Sequence, residues 1–159
     1  MIPTSINDSG GQSMRSVSPT GSYFIDLPET VAEDEDGGVF SFWVQGRPLL
    51  LQLSSYSRYE GVQVGAAERL DALLKREPLS DVSTSFLMAV DCPDYASVKG
   101  VDNERVFWVY AYAVWDDLAL MITVSGDERD IEDAENWAFT AVKSIRRAVW
   151  PPISLDSEV

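Results

Sequence analysis

The chain contains no histidine, and that absence removes more chemistry than any other feature of it. Without an imidazole there is no Ser-His-Asp or Cys-His arrangement, no His-ligated zinc, and no side chain whose ordinary pKa suits proton transfer near neutrality. Cysteine is almost as scarce, and the one present, Cys92, excludes an intrachain disulfide. Asp91 beside it places a negative charge near the thiol, which raises its pKa and makes it a poor nucleophile. Neither GxxxxGK(S/T) nor GxGxxG occurs, and Gly61 to Gly65 has the spacing of neither phosphate loop.

Basic residues are also few: 12 against 26 acidic ones, a net charge of −14 over 159 residues. Such a balance repels phosphate backbones and anionic lipid, so neither nucleic acid nor a membrane surface is an expected partner. A protein with a basic surface is favoured instead, although the same charge also serves solubility alone. No long apolar run escapes interruption by aspartate before reaching membrane-spanning length. The N-terminus lacks a basic segment followed by an apolar one, so a reducing, cytoplasmic setting is expected.

What the chain does hold is a long apolar stretch, Arg105 to Gly126, RVFWVYAYAVWDDLALMITVSG. Aromatic, β-branched and alanine residues fill Val106 to Trp115, two acids mark a turn at Asp116-Asp117, and a second run follows from Leu118 to Ser125, the pattern of a β-hairpin. With those acids as the loop, Ala113 faces Leu120, Ala111 faces Ile122 and Val109 faces Val124 on one side. Trp108, Tyr110 and Tyr112 face Ser125, Thr123 and Met121 on the other. A second hairpin, Val39 to Gln45 with Pro48 to Tyr56 about a Gly46-Arg47 turn, gathers Phe40, Phe42, Val44, Leu49, Leu51 and Leu53 on its oily face. Its mixed face carries Ser41, Trp43, Gln52 and Ser54.

Helical spacing of Ile131, Ala134, Trp137, Ala138, Ala141, Val142, Ile145 and Ala148 predicts a long C-terminal helix. It would be N-capped by Asp130, stopped before Pro151, and packed on the alanine-rich side of the hairpin. A shorter helix is predicted over Gly65 to Glu77, ended by Pro78. Gly21 to Leu27 and Ser83 to Val90 read as strands, and Asp91 to Glu104 as a loop holding a short edge strand around Tyr95 to Lys99. Residues 1–20 and 151–159 read as tails flanking a single domain, 21–150. Glu33-Asp34-Glu35-Asp36-Gly37-Gly38 reads as a solvated acidic loop, since it lacks the alternating ligands and twelfth-position glutamate of an EF-hand.

The whole is an α+β domain: an antiparallel sheet of two hairpins plus further strands, packed by a long C-terminal and a shorter middle helix. This element order, with YAVWDDLALMITVSG running into an acid-started helix bearing Trp137 and Ile145, resembles the PsbP-like α-β-α sandwich family. That fold hosts several unrelated roles, so the resemblance implies an architecture and no activity.

For function, the sequence points to a non-catalytic binding protein without cofactor or metal. Paired carboxylates are the only generic catalytic option, and acids this abundant carry little signal. The candidate partner-binding residues are the aromatics Trp43, Trp108, Tyr110 and Tyr112 and the acids Glu33, Asp34, Glu35, Asp36, Asp127 and Glu128. The aromatics have a second reading as a core layer beneath the 65–77 helix, which a sandwich covered on both faces favours. In composition the chain resembles small acidic bacterial immunity proteins, which implies an inhibitor that occludes the basic active site of a toxin enzyme. The alternative is a secretion chaperone or accessory protein sheltering an apolar client segment on the aromatic face.

Overall fold

The computed structural model describes residues 13–57, 64–84, 89–127, 129 and 137–148. Among these residues ten strands lie in two antiparallel sheets. β1 (Met14–Val17), β2 (Tyr23–Pro28) and β10 (Arg146–Arg147) form a small sheet in the order β1-β2-β10. The large sheet holds β3 (Val31–Asp36), β4 (Val39–Val44), β5 (Leu50–Ser57), β6 (Ser80–Ser83), β7 (Asp94–Val101), β8 (Val106–Val114) and β9 (Leu118–Asp127), in the order β3-β4-β5-β9-β8-β7-β6. Two helices, α1 (Ala66–Arg76) and α2 (Phe139–Lys143), complete the described residues. The α+β class thus holds, in a form richer in strand than the sequence suggests.

The β8-β9 hairpin is central, and its register is the expected one: Ala113 opposite Leu120, Ala111 opposite Ile122, Val109 opposite Val124. Trp115 N donates to Leu118 O at 2.7 Å, which makes Asp116 and Asp117 the two loop residues. The β4-β5 hairpin also keeps its expected register, with Phe40 opposite Leu53 and Phe42 opposite Leu51. Its turn lies one residue earlier than expected. Arg47 N donates to Val44 O, so Gln45-Gly46 are the central pair and Gly46, at φ +82°, takes the third position, where positive φ favours glycine.

One face of the large sheet meets the small sheet and α2 in a single core. There Ile25 and Leu27 of β2, Leu51 and Leu53 of β5, and the alanine row Ala111 and Ala113 pack with Trp137, Ala138, Ala141, Val142 and Ile145. Small residues opposite large ones leave room for the α2 segment, as the hairpin pattern implied. The other face receives α1. Ala66, Leu70 and Leu73 of that helix bury Val98, Tyr110, Tyr112 and Val114.

Several expectations need correction. Glu33 to Asp36 belong to an edge strand, β3, paired with β4 from Val31–Val44 to Asp36–Val39, and only Gly37-Gly38 form the turn. Both glycines have positive φ, +61° and +87°, as a two-residue type I′ turn demands. An edge strand has one neighbour, so its acids stay in water and discourage pairing with another chain. Met14–Val17, read as tail, pairs with β2. Asp94–Val101 is a full interior strand, whereas the edge beyond it is Ser80–Ser83, largely upstream of the expected 83–90 strand; residues 85–88 of that strand lie outside the described residues.

The long C-terminal helix is not found in the described residues. Its expected start, 130–136, lies outside them, and α2 ends at Lys143 instead of running to Ala148. Tertiary bonds prevail over the helical spacing there. Ser144 Oγ donates to Ala141 O at 2.6 Å and accepts from Asp26 N at 2.8 Å, which turns the chain onto β2. Arg146 then pairs with Asp26 at 3.2 Å and lies over the Phe24 ring, while Arg147 donates to Ser22 O and reaches Asp117 at 2.7 Å.

Candidate functional site

Registers across the large sheet define rows of side chains on the α1-bearing face. One row runs Ala32, Trp43, Leu50, Ser125, Trp108; the next runs Asp34, Ser41, Gln52, Thr123, Tyr110; a third runs Asp36, Val39, Ser54, Met121, Tyr112. Trp43 therefore does share a face with Trp108, Tyr110 and Tyr112. The face is covered unequally. Over β7 and β8 the helix leaves Tyr110 and Tyr112 only 5% exposed, so these two belong to a second core layer. Helix α1 reaches β5 through Arg69, which lies over the Tyr56 ring at 6.0 Å, and Trp43, Leu50 and Gln52 are half-buried.

Where the covered half meets the open half there is a cleft of about 540 Å³, walled by Leu73, Glu77 and Leu79 from the end of α1 and floored by Gln52, Thr123 and Trp108. Leu79 is held close to the sheet because Gly100 opposite Trp108 has no side chain: a Cβ there would stand 2.8 Å from that of Leu79 and 2.7 Å from Ser80 O. Pro78 stops α1 and directs the chain across this wall.

Asp102 shapes the rim. In the β7-β8 turn its Oδ1 accepts from Glu104 N at 2.8 Å and Val106 N at 2.9 Å, and Arg105 takes φ +66° to close the turn. Its Oδ2 accepts from Trp108 Nε1 at 2.9 Å and so fixes the indole. The Val106 amide first, then the Trp108 indole, hold the Asp102 carboxyl below its ordinary value, since each bond favours the anion. Tyr110 donates its hydroxyl to Glu77 O at 3.2 Å. Burial first, then the charges of Glu77 and Asp102, push its pKa up to about 12, so the phenol stays neutral. The Trp108 and Tyr110 rings lie 5.7 Å apart, tilted by 60°.

The acidic candidates fall into two places. Asp34 and Asp36 lie on the open face, while Glu33 and Glu35 belong to the opposite set. Glu33 is paired with Arg15 at 3.0 Å and Glu35 accepts from Gly38 N, so the outward-looking charge of the strand rests on Asp34 and Asp36. Asp127 lies at the far end of β9, six residues beyond Met121 and thus roughly 20 Å along the strand from the Asp36 row, and pairs with Arg129 at 3.0 Å. Glu128 lies outside the described residues. Sequence reasoning missed Asp102, Glu77 and Gln52. For Asp102 a signal existed, because Asp-Asn-Glu-Arg ahead of an aromatic strand is turn chemistry in which the first side chain bonds the amides that follow.

Comparison with known proteins bears on the architecture. No protein-family profile and no curated protein sequence matches the chain. Cyanobacterial PsbP (CyanoP) from Synechocystis sp. PCC 6803 superposes with a TM-score of 0.59 at 13% identity, over 91% of this chain and 98% of that one. The fold is PsbP-like. A Bacteroides thetaiotaomicron VPI-5482 protein matches with a TM-score of 0.54 at 15% identity over 83% of this chain, which spans 47% of that protein's length. At such identities a PsbP-like fold is what is shared, and the chemistry of its surfaces belongs to this chain alone.

Proposed function

We propose that this chain is a non-catalytic protein-binding module, and specifically an immunity-type inhibitor that neutralises a toxin enzyme by covering its basic active site. The observation that carries the reading is the acidic edge strand β3, exposed from Glu33 to Asp36, beside the sheet face over β3 and β4, where Trp43 is half-buried and neither described helix packs. Asp34 and Asp36 border that face and Trp43 stands in it, giving an aromatic anchor with acids at its margin, a combination suited to a basic, concave target. The sequence supplies the rest: net −14, no histidine, and one thiol whose pKa is raised, chiefly by burial.

The test is coexpression with the product of an adjoining toxin gene, followed by association kinetics. Rescue of growth is expected, with an association rate that falls at least tenfold between low and high salt, because steering by exposed charge is screened. Asp34→Lys with Asp36→Lys should slow association by a similar factor. A rate indifferent to ionic strength would overturn the inhibitor reading. Shelter of an apolar client on the aromatic face is the weaker reading, since α1 already occupies Tyr110 and Tyr112. It would require Trp43→Ala to abolish binding while the lysine pair leaves it intact.

A further inference from the structure

The cleft beside α1 has an imbalance between hydrogen-bond donors and acceptors. Its two aromatic donors are already engaged, Trp108 Nε1 with Asp102 and Tyr110 hydroxyl with Glu77 O. Asp102 already accepts three hydrogen bonds, and other acceptors remain. Thr123 is 7% exposed, lines the floor, and its hydroxyl bonds to no described residue. Gln52 donates through Nε2 to Ser41 Oγ at 3.1 Å, which leaves its carbonyl oxygen as an acceptor. Two carboxylates, Glu77 and Asp102, stand at the wall and rim, no cationic side chain lines the cleft, and neither acid has an ion-pair partner among the described residues. The Thr123 hydroxyl is not among the buried side-chain atoms without a partner, so it still reaches the cleft, and a ligand that supplies donors and brings no acceptors suits this lining.

We propose that this cleft seats one guanidinium or ammonium side chain of the partner protein, its head between Asp102 and Glu77 and its stem along Trp108. An arginine or lysine side chain is all donor at its head and apolar along its stem. The cleft matches both, with Leu73, Leu79 and Met121 for the stem and the Trp108 ring for a cation–π contact. Its volume lies within the range of small-ligand sites, and the row Asp34, Ser41, Gln52, Thr123 joins it to the acidic edge, with Asp34 roughly 14 Å from Thr123 across three strand spacings. The inference rests on the protein-binding reading for the source of the side chain, but its test does not need the toxin.

The full chain, labelled with 15N, would be titrated with Nα-acetyl-arginine amide and, separately, with the uncharged citrulline amide. The Trp108 indole resonance, assigned through Trp108→Phe, reports occupancy. A saturable shift with the arginine probe alone is expected, weakened roughly two- to fivefold by Glu77→Gln, as for one partly solvated ion pair. Asp102→Asn keeps an oxygen for the turn amides and loses the acceptor of Trp108 Nε1, so it should weaken binding by more than Glu77→Gln does, and Thr123→Val should weaken it without altering salt dependence. Equal shifts with citrulline, or an arginine shift unchanged in the Glu77→Gln, Asp102→Asn double variant, would overturn the proposal. Saturable arginine binding in a chain that fails to bind the toxin supports the seat and removes only the inhibitor reading.

Discussion

Gly100 and Cys92 illustrate how much one residue's surroundings decide. At Gly100 any side chain collides with Ser80 O and Leu79, backbone and wall of the cleft respectively, so Gly100→Ala must displace β6. We expect a loss of about 1–3 kcal/mol, the range for overpacking, read as a lower midpoint in urea, with Trp108 fluorescence altered because its wall moves. A variant as stable as the parent would mean that β6 adapts freely. Cys92 is the converse case, where the direction was legible but the cause was not. Asp91 in the sequence implies a raised thiol pKa, and the thiol is raised, yet burial outweighs the charges of Asp94 and Asp91. Alkylation by iodoacetamide at neutral pH should therefore be slower than for free cysteine, and should stay slow in Asp91→Asn; a rate restored by that substitution would make charge the cause.

Elements were legible wherever a local pattern and its burial agree. The β8-β9 hairpin could be paired residue by residue because alternation of aromatic and small side chains admits one register, and a slip would expose Val109, Ala111 and Ile122. β3 was illegible because four consecutive acids are loop composition, and only its place at a sheet edge makes them tolerable in a strand. Spacing read the C-terminal segment as helix through Ala148, since nothing local reveals that Ser144 bonds to Asp26, distant in sequence. The cleft was legible only in fragments: Trp108 and Tyr110 stood out, whereas Gln52, Glu77 and Asp102 meet there through tertiary contacts. α1 shows the same dependence on distant partners. No side chain of its own caps it, and Asp94 of β7 accepts from Ala66 N at 2.9 Å in place of an N-cap residue. Asp94→Ala should cost about 1 kcal/mol, as loss of a cap does. Amide exchange should quicken through α1 and at Tyr110 and Tyr112 beneath it, and a change confined to residue 66 would show that the helix needs no cap.

For the whole molecule, both layers rest on phenols that must remain neutral. Tyr110 and Tyr112 lie under α1, while Tyr23 and Tyr95 pack in the opposite core, and burial raises the pKa of all four, those of Tyr95 and Tyr110 to about 12. A group whose folded pKa exceeds its unfolded value stabilises fully below the unfolded value, near 10 for tyrosine, and that stability is lost as pH rises through the folded one. The window is thus about pH 10 to 12, where each ionisation also adds charge to a chain already at −14 at pH 7. Absorbance at 295 nm and far-ultraviolet circular dichroism should change together across it, since the buried phenols ionise only as the fold opens. Tyr110→Phe should move the onset to higher pH by removing one of the four, at the cost of the bond to Glu77 O. The chain has six tyrosines, so were the absorbance rise near pH 10 to exceed what two phenols can supply with the dichroism unchanged, buried tyrosines would be ionising in an intact fold, and the burial of the α1 face on which the cleft depends would be refuted.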